Sequence, residues 1–175
     1  MKISQNKNIP DSSLRTMKTD DLEQVLAWRN HPDIRYYMYT QHEITLEEHS
    51  HWFNNNRLDS NCHLLIFETA GEAQGFININ QGSHLIADWG FYLSPKAPQG
   101  TGSALGHLAL CYAFNTLKLH KLCGEALGFN DKSIRFHQKL GFSQEGILRQ
   151  QYFDGENYQD IYRFGLLACE WRKKL

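Results

Sequence analysis

The stretch Ser94–Phe114, SPKAPQGTGSALGHLALCYAF, constrains the chain more than any other. Read at helical spacing, Leu105, Leu108, Ala109, Tyr112 and Ala113 form one apolar stripe, and Leu110, Phe114 and Leu117 form a second. A helix apolar over most of its circumference has to be covered on two sides. Gly100 and Gly102 stand directly before it. A helix start carries unpaired N–H groups and about half a positive charge, which attract an anion. Glycines there let a phosphate reach the backbone with no Cβ in the way. The plain alternative is a loop that needs positive φ angles. Two phosphate loops are excluded. A P-loop places Lys and Ser or Thr after its last glycine, where this chain has Ser103–Ala104. A dinucleotide fingerprint needs a third glycine where Leu105 stands, and the acid at Glu125 does not repair that.

Around this segment the pattern alternates in type. Ser12–Met17 reads as a strand, and a helix follows with Leu22, Val25, Leu26 and Arg29 on one face. Thr19 or Asp20 is its expected N-cap, with Asp20 and Glu23 at capping-box spacing, and His31–Pro32 ends it. A polar-aromatic loop leads to a second helix opened by a Thr45–Glu48 capping box, with Leu46, His49, Trp52 and Phe53 on one face. CHLLIFETA, GFININQ and LIADWGFYL are three strands with turns between them, and HKLCGEALG is another after the long helix. Asn130 opens a fourth helix that stops before Gly141, and a hairpin turning at Asp154–Gly155 closes the chain. This order predicts one α+β domain over residues 1–175. Its sheet is mainly antiparallel, with a parallel pair made by the crossover through the long helix.

Net charge is −1 and no run of Lys or Arg occurs, so the electrostatic footprint of a nucleic-acid binder is missing. The four cysteines form no CxxC pair, which fits a reduced, cytoplasmic setting. The N-terminal MKISQNKNIPDSS has no apolar core of a signal peptide, and nowhere do 18 apolar residues run together, so no membrane partner is expected.

Gln99–Gly100–Thr101–Gly102–Ser103–Ala104 resembles the Q/R-x-x-G-x-G/A loop of the GNAT acetyltransferases. NDKSIRFHQKLGF resembles the later signature of that family at Asn130, Lys139, Gly141 and Phe142. The resemblance spans essentially the whole chain. It implies a sheet of about seven strands flanked by four helices, with the parallel pair splayed open. It also implies acetyl-CoA as co-substrate: its pyrophosphate on residues 99–104, its pantetheine along Phe91–Leu93, and Asn130 in both the cofactor and the catalytic set.

The N-terminal third of such proteins covers the acceptor. Here Arg29–Asn30–His31–Pro32, Met38–Tyr39 and the Glu48–His49 helix with Trp52–Phe53 resemble family members that acetylate the 4-amino group of a UDP-linked 4-amino-4,6-dideoxy sugar in pseudaminic acid synthesis. Ribosomal-protein acetyltransferases share part of that skeleton, so a protein N-terminus is the alternative acceptor. A diphosphate calls for Arg or His⁺, and Arg29, Arg35 and His49 are candidates; a uracil calls for an aromatic or amide partner, and Tyr39 and Trp52 are candidates. Asn30, Met38 and Asp88 complete the expected acceptor set. No metal is expected, since His42, His49 and His51 lack HExxH spacing. A homodimer is compatible with the exposed-edge character of the last hairpin.

The reaction needs a base for the amine and a donor for the leaving thiolate. Glu125, set in the apolar strand LCGEAL, is the expected base, through a pKa raised by desolvation, with Asp88 second. The family's acid is a tyrosine, and here His137 holds that position. Either His137 donates or solvent does; Tyr92 and Tyr112 are further candidates. A non-catalytic acyl-CoA sensor is the remaining alternative.

Overall fold

The computed structural model describes residues 11–173, so the reading of the first ten positions lies outside the described residues. Seven strands build one sheet in the order β1-β2-β3-β4-β5-β7-β6. They are β1 (Ser12–Thr16), β2 (Cys62–Thr69), β3 (Glu72–Gln81), β4 (Ile86–Leu93), β5 (Lys121–Leu127), β6 (Ser143–Phe153) and β7 (Tyr158–Leu167). Every neighbouring pair is antiparallel except β4 and β5. The expected α+β architecture is present.

Helices cover both faces. On one lie α1 (Leu22–Asn30), the single turn α2 (Pro32–Arg35) and α3 (Leu46–Asn56). Val25, Trp28 and Phe53 pack there on Leu64, Ile66 and Phe76. The other face holds α4 (Thr101–Cys111), continued by a wider π turn over Tyr112–Thr116, together with α5 (Asp131–Leu140) and the short α6 (Ala168–Arg172). Leu105, Leu108, Ala109, Leu110, Ala113 and Phe114 are all buried between sheet and helices, so the all-round apolar helix has its two-sided cover. Alternation in β3 sorts the faces: Ile77 and Ile79 turn to α4, while Phe76 turns to α1 and α3.

The Thr45–Glu48 capping box forms, with Glu48 Oε2 accepting from Thr45 N at 2.7 Å. The first helix starts differently from expectation. A short 3₁₀ turn over Thr19–Asp21 precedes it, and Asp21, not Glu23, accepts from a cap N–H, that of Lys18. The cause is Arg15, whose guanidinium grips both Asp21 oxygens at 2.7 Å and donates to Glu68 at 2.6 Å. This cluster ties β1 and β2 to the start of α1. The outer strand β6 has two breaks in its ladder to β7, at Gln144/Gly146 and at Leu148/Tyr152.

Burial opposes ionisation of Asp21, but Arg15 and the Lys18 N–H outweigh it and hold the carboxyl below its usual range. Its stabilisation is therefore present above the ordinary carboxylate pKa and is lost as pH falls through the lower, folded-state value. Asp21→Ala is expected to cost about 2–3 kcal/mol in urea denaturation at pH 7. The gap from the unsubstituted chain should close as pH drops below the folded-state value.

Candidate active site

β4 and β5 pair only over Ile86–Asp88 and Lys121–Cys123. Beyond Asp88 they part, and a cavity of about 1250 Å³ fills the opening. Its wall includes Arg29, His49, Trp52 and Glu125 from one face of the sheet and Gly102, Asn130, Phe136 and His137 from the other. The gap thus joins the two faces, which the sheet otherwise separates.

The cofactor-side residues gather at the α4 start. Gly100 adopts a left-handed backbone with φ +93° and has open space around its Cα. The N–H groups of Gly100 and Gly102 have no acceptor among the described residues. Thr101 and Ala104 are buried, the Thr101 hydroxyl donating to Pro98 O at 2.5 Å, whereas Gln99 is exposed. Lys139 Nζ donates to Ser103 Oγ at 3.2 Å and adds a cation beside the loop. Phe91 and Leu93 line the cavity along the unpaired edge of β4. Asn130 uses its side-chain oxygen to cap α5 through Ser133 N at 3.1 Å. Bare N–H groups, a left-handed glycine and a flanking lysine fit a diphosphate.

On the acceptor side, Arg29, Met38, Tyr39, His49, Trp52 and Asp88 all reach the cavity. Arg29 Nη2 donates to Thr40 O at 3.0 Å, while Nη1 is buried without a partner. Burial, then Arg35, lowers its pKa, yet a guanidinium stays charged at neutral pH. His49 stacks on Trp52 at 5.1 Å, and its Nε2 is buried and unpartnered. Burial and the nearby Arg29 push the His49 pKa down. It is a neutral hydrogen-bonding ring rather than the expected cation. Arg35 pairs with Glu43 at 3.2 Å away from the cavity wall. Of the three expected cations, only Arg29 faces the cavity charged and uncompensated. Asn30 needs a second correction: its amide clamps Ile44, donating to O at 2.8 Å and accepting from N at 2.9 Å. It organises the loop before α3 and does not line the cavity.

The proton-handling candidates sit in surroundings the sequence did not foretell. Glu125 is not an isolated carboxylate in an apolar strand: Tyr39 Oη donates to it at 2.8 Å and Arg163 Nε lies at 3.3 Å. His137 faces inward as expected, 1% exposed and stacked on Phe164. Its Nδ1 donates to Ser133 O at 2.8 Å, which leaves Nε2 as a bare acceptor. Burial lowers its pKa, so the ring is neutral at rest. Tyr92 lines the cavity, and burial raises its pKa, so its hydroxyl keeps its proton. Tyr112 lies elsewhere, with its hydroxyl 3.3 Å from His63 Nδ1.

Among the cavity residues that escaped the sequence reading are Asn78, Asn80, Trp89 and Arg163. The signal for Asn78 was present in GFININQ, where polar residues alternate with Ile77 and Ile79 on a central strand. A segment over Tyr36–Gln41 straps the cavity's acceptor side. It is fixed by Tyr39 to Glu125, by Tyr152 Oη donating to Tyr39 O, and by Gln41 donating to Tyr152 Oη. Among the described residues no three His, Cys, Asp or Glu side chains converge as a metal site would require, and no helix is long and apolar enough to cross a membrane.

Comparison with known proteins agrees with this geometry. The sequence profile of the acetyltransferase (GNAT) domain matches residues 13–143. A spermidine N(1)-acetyltransferase of Escherichia coli K12 is 29% identical over 162 residues, covering 90% of this chain and 87% of that protein. The acetyltransferase PseH of Campylobacter jejuni is 32% identical over 130 residues, covering 73% and 80%. The crystal structure of a Vibrio cholerae spermidine N-acetyltransferase in complex with CoA and spermine superposes with a TM-score of 0.86 at 24% identity, covering 92% of this chain and 98% of that one.

Gly124 is the close-approach point under this site. A Cβ there would collide with His137 Nε2 and lie 2.8 Å from Trp89 Nε1. Gly124→Ala is expected to cost about 1–3 kcal/mol through overpacking. Its signature should be a shift in tryptophan fluorescence from the displaced Trp89, with the far-UV spectrum retained.

Proposed function

The chain belongs to the GNAT acetyltransferase family and is an acetyl-CoA-dependent N-acetyltransferase, and from that premise we propose that its acceptor is a nucleotide-linked amino sugar. The reading is acetylation of the 4-amino group of a UDP-linked 4-amino-4,6-dideoxy sugar, the reaction of pseudaminic acid assembly. The observation that carries it is the buried, unpartnered Nη1 of Arg29 on the acceptor wall. A guanidinium with no carboxylate beside it repels a polycation and is satisfied by phosphate oxygens. His49 and Trp52 present a stacked aromatic surface next to it, suited to a base or a sugar face.

The polyamine reading has the likeness to spermidine acetyltransferases and a feature of the site in its favour, since Asp33, Glu48, Asp88 and Glu125 also line the cavity. Part of that charge is already engaged. Glu48 caps α3 and sits 3.4 Å from His42, Glu125 pairs with Arg163, and the Asp33 side chain is 87% exposed. Asp33 and Asp88, both exposed, are left to receive an ammonium group. A peptide N-terminus, the other alternative, would likewise meet Arg29 rather than a cluster of acids.

Acetyl-CoA supplies the thioester that the amine attacks. In this reading the N–H groups of Gly100 and Gly102, with Lys139 beside them, hold its diphosphate, and Phe91 and Leu93 flank its arm. Gly102→Glu adds a negatively charged side chain at this loop, starting toward Leu93 and Phe136 on the cavity wall. CoA affinity by calorimetry is expected to fall at least tenfold, on the order of the loss of a charge-assisted hydrogen bond.

The acceptor is tested by following CoA release with the UDP-linked amino sugar, the same sugar without UDP, spermidine, and a peptide beginning with Ser. Turnover is expected with the UDP-linked sugar alone. Arg29→Met should raise its KM by about 10–100-fold, with the KM of acetyl-CoA unchanged. Turnover of spermidine or of the peptide in its place would sink the nucleotide-sugar reading.

A further inference from the structure

Asn78 is a partly buried polar residue of the cavity wall whose side chain the described contacts leave unexplained. It sits in the middle of β3, on the face that carries Phe76 and looks toward α1 and α3. No hydrogen bond joins its side chain to another described residue, and it lines the cavity. Its partner in register on β4 is Gly90. The Asn78 carbonyl oxygen lies 2.6 Å from where a Cβ on Gly90 would stand. The amide therefore leans across β4, and only glycine at position 90 leaves room for it. Gly90 is two residues past Asp88, the last residue of β4 that pairs with β5. An amine entering from the Arg29 side and a thioester held on the α4 side can meet only where the strands part, and Asn78 overhangs that opening.

We propose that Asn78 is an acceptor-positioning residue whose carbonyl oxygen accepts an N–H of the attacking amine, and that Gly90 exists in this sequence to let it do so. A neutral amide suits this place better than a carboxylate. It holds the amine by one N–H and leaves the lone pair free for the carbonyl carbon, whereas a full negative charge would favour the protonated, non-nucleophilic ammonium. The inference rests on the acetyl-transfer reading but not on the identity of the acceptor, because every candidate acceptor presents an amine.

The test uses whichever amine of the panel above the unsubstituted enzyme turns over, so a change of acceptor does not remove it. Asn78→Ala is expected to lower kcat/KM for the amine by about 10–100-fold while the KM of acetyl-CoA stays within about twofold. Gly90→Ala should reproduce that loss with Asn78 intact, because the added methyl displaces the amide. The double variant should be no worse than the poorer single one, which is the mark of a shared interaction. Asn78→Asp keeps the shape and should move the acid limb of the pH–kcat/KM profile to higher pH, a change that a purely structural role would not produce. An Asn78→Ala enzyme within about twofold of the original, or fully additive losses in the double variant, would overturn the proposal.

Discussion

Everything in this molecule that bears on chemistry depends on a ladder that stops. β4 and β5 share hydrogen bonds for three residues and then diverge, although both strands continue. A sheet is normally a wall, because its backbone groups satisfy each other and leave no passage. Once the pairing ends, backbone groups of β4 become available and the two faces that the sheet otherwise separates share one space. The helices then have distinct tasks. α4 and α5 bring glycine N–H groups and a histidine to one side, and α1 and α3 bring an arginine and a histidine to the other.

That arrangement turns polar groups toward the cavity. Among the described residues six buried side-chain nitrogens lack a partner, and four of them, on Arg29, His49, Trp89 and His137, line the cavity. A buried polar group that finds no partner at all, water included, forfeits about 1–3 kcal/mol, so these positions favour a polar ligand. Stability comes from the apolar layer around α4 and from the Arg15–Asp21–Glu68 cluster that anchors α1 to the sheet. The fold places its frustration in the cavity and its satisfied polar network at the periphery, which is the pattern of a site awaiting a polar ligand.

How much of this could be read beforehand differs by level. The layer order followed from hydrophobic period: α4 is apolar on all sides and is buried, and β3 alternates and divides its residues between two faces. The glycine loop was legible because its chemistry is local, four N–H groups and two missing side chains. Partnerships across long sequence separation were not legible. Glu125 looked like a lone acid because Tyr39 and Arg163, its partners, are 86 and 38 positions away in the chain. Asn30 looked available because nothing local announces that Ile44 will close on both ends of its amide. The capping pair of α1 moved for a nearer cause: Arg15, six positions before Asp21, holds that carboxylate beside the Lys18 N–H. His49 reaches the cavity, but its charge is set by burial beside Arg29, a property of packing.

The outer strand β6 carries a consequence of a different kind. It is 11 residues long and stands at the rim of the sheet, with Ile147 and Phe153 substantially exposed. A straight strand of that length would offer a template for other chains at high concentration. Its two ladder breaks, at Gln144/Gly146 and Leu148/Tyr152, interrupt the regular pleat, so the rim presents short segments rather than one continuous row of unpaired groups. Any self-association along this rim would have to rely on side chains more than on an extended backbone ladder. The irregularity that looks like imperfect pairing is thus one of the ways a sheet edge is blunted.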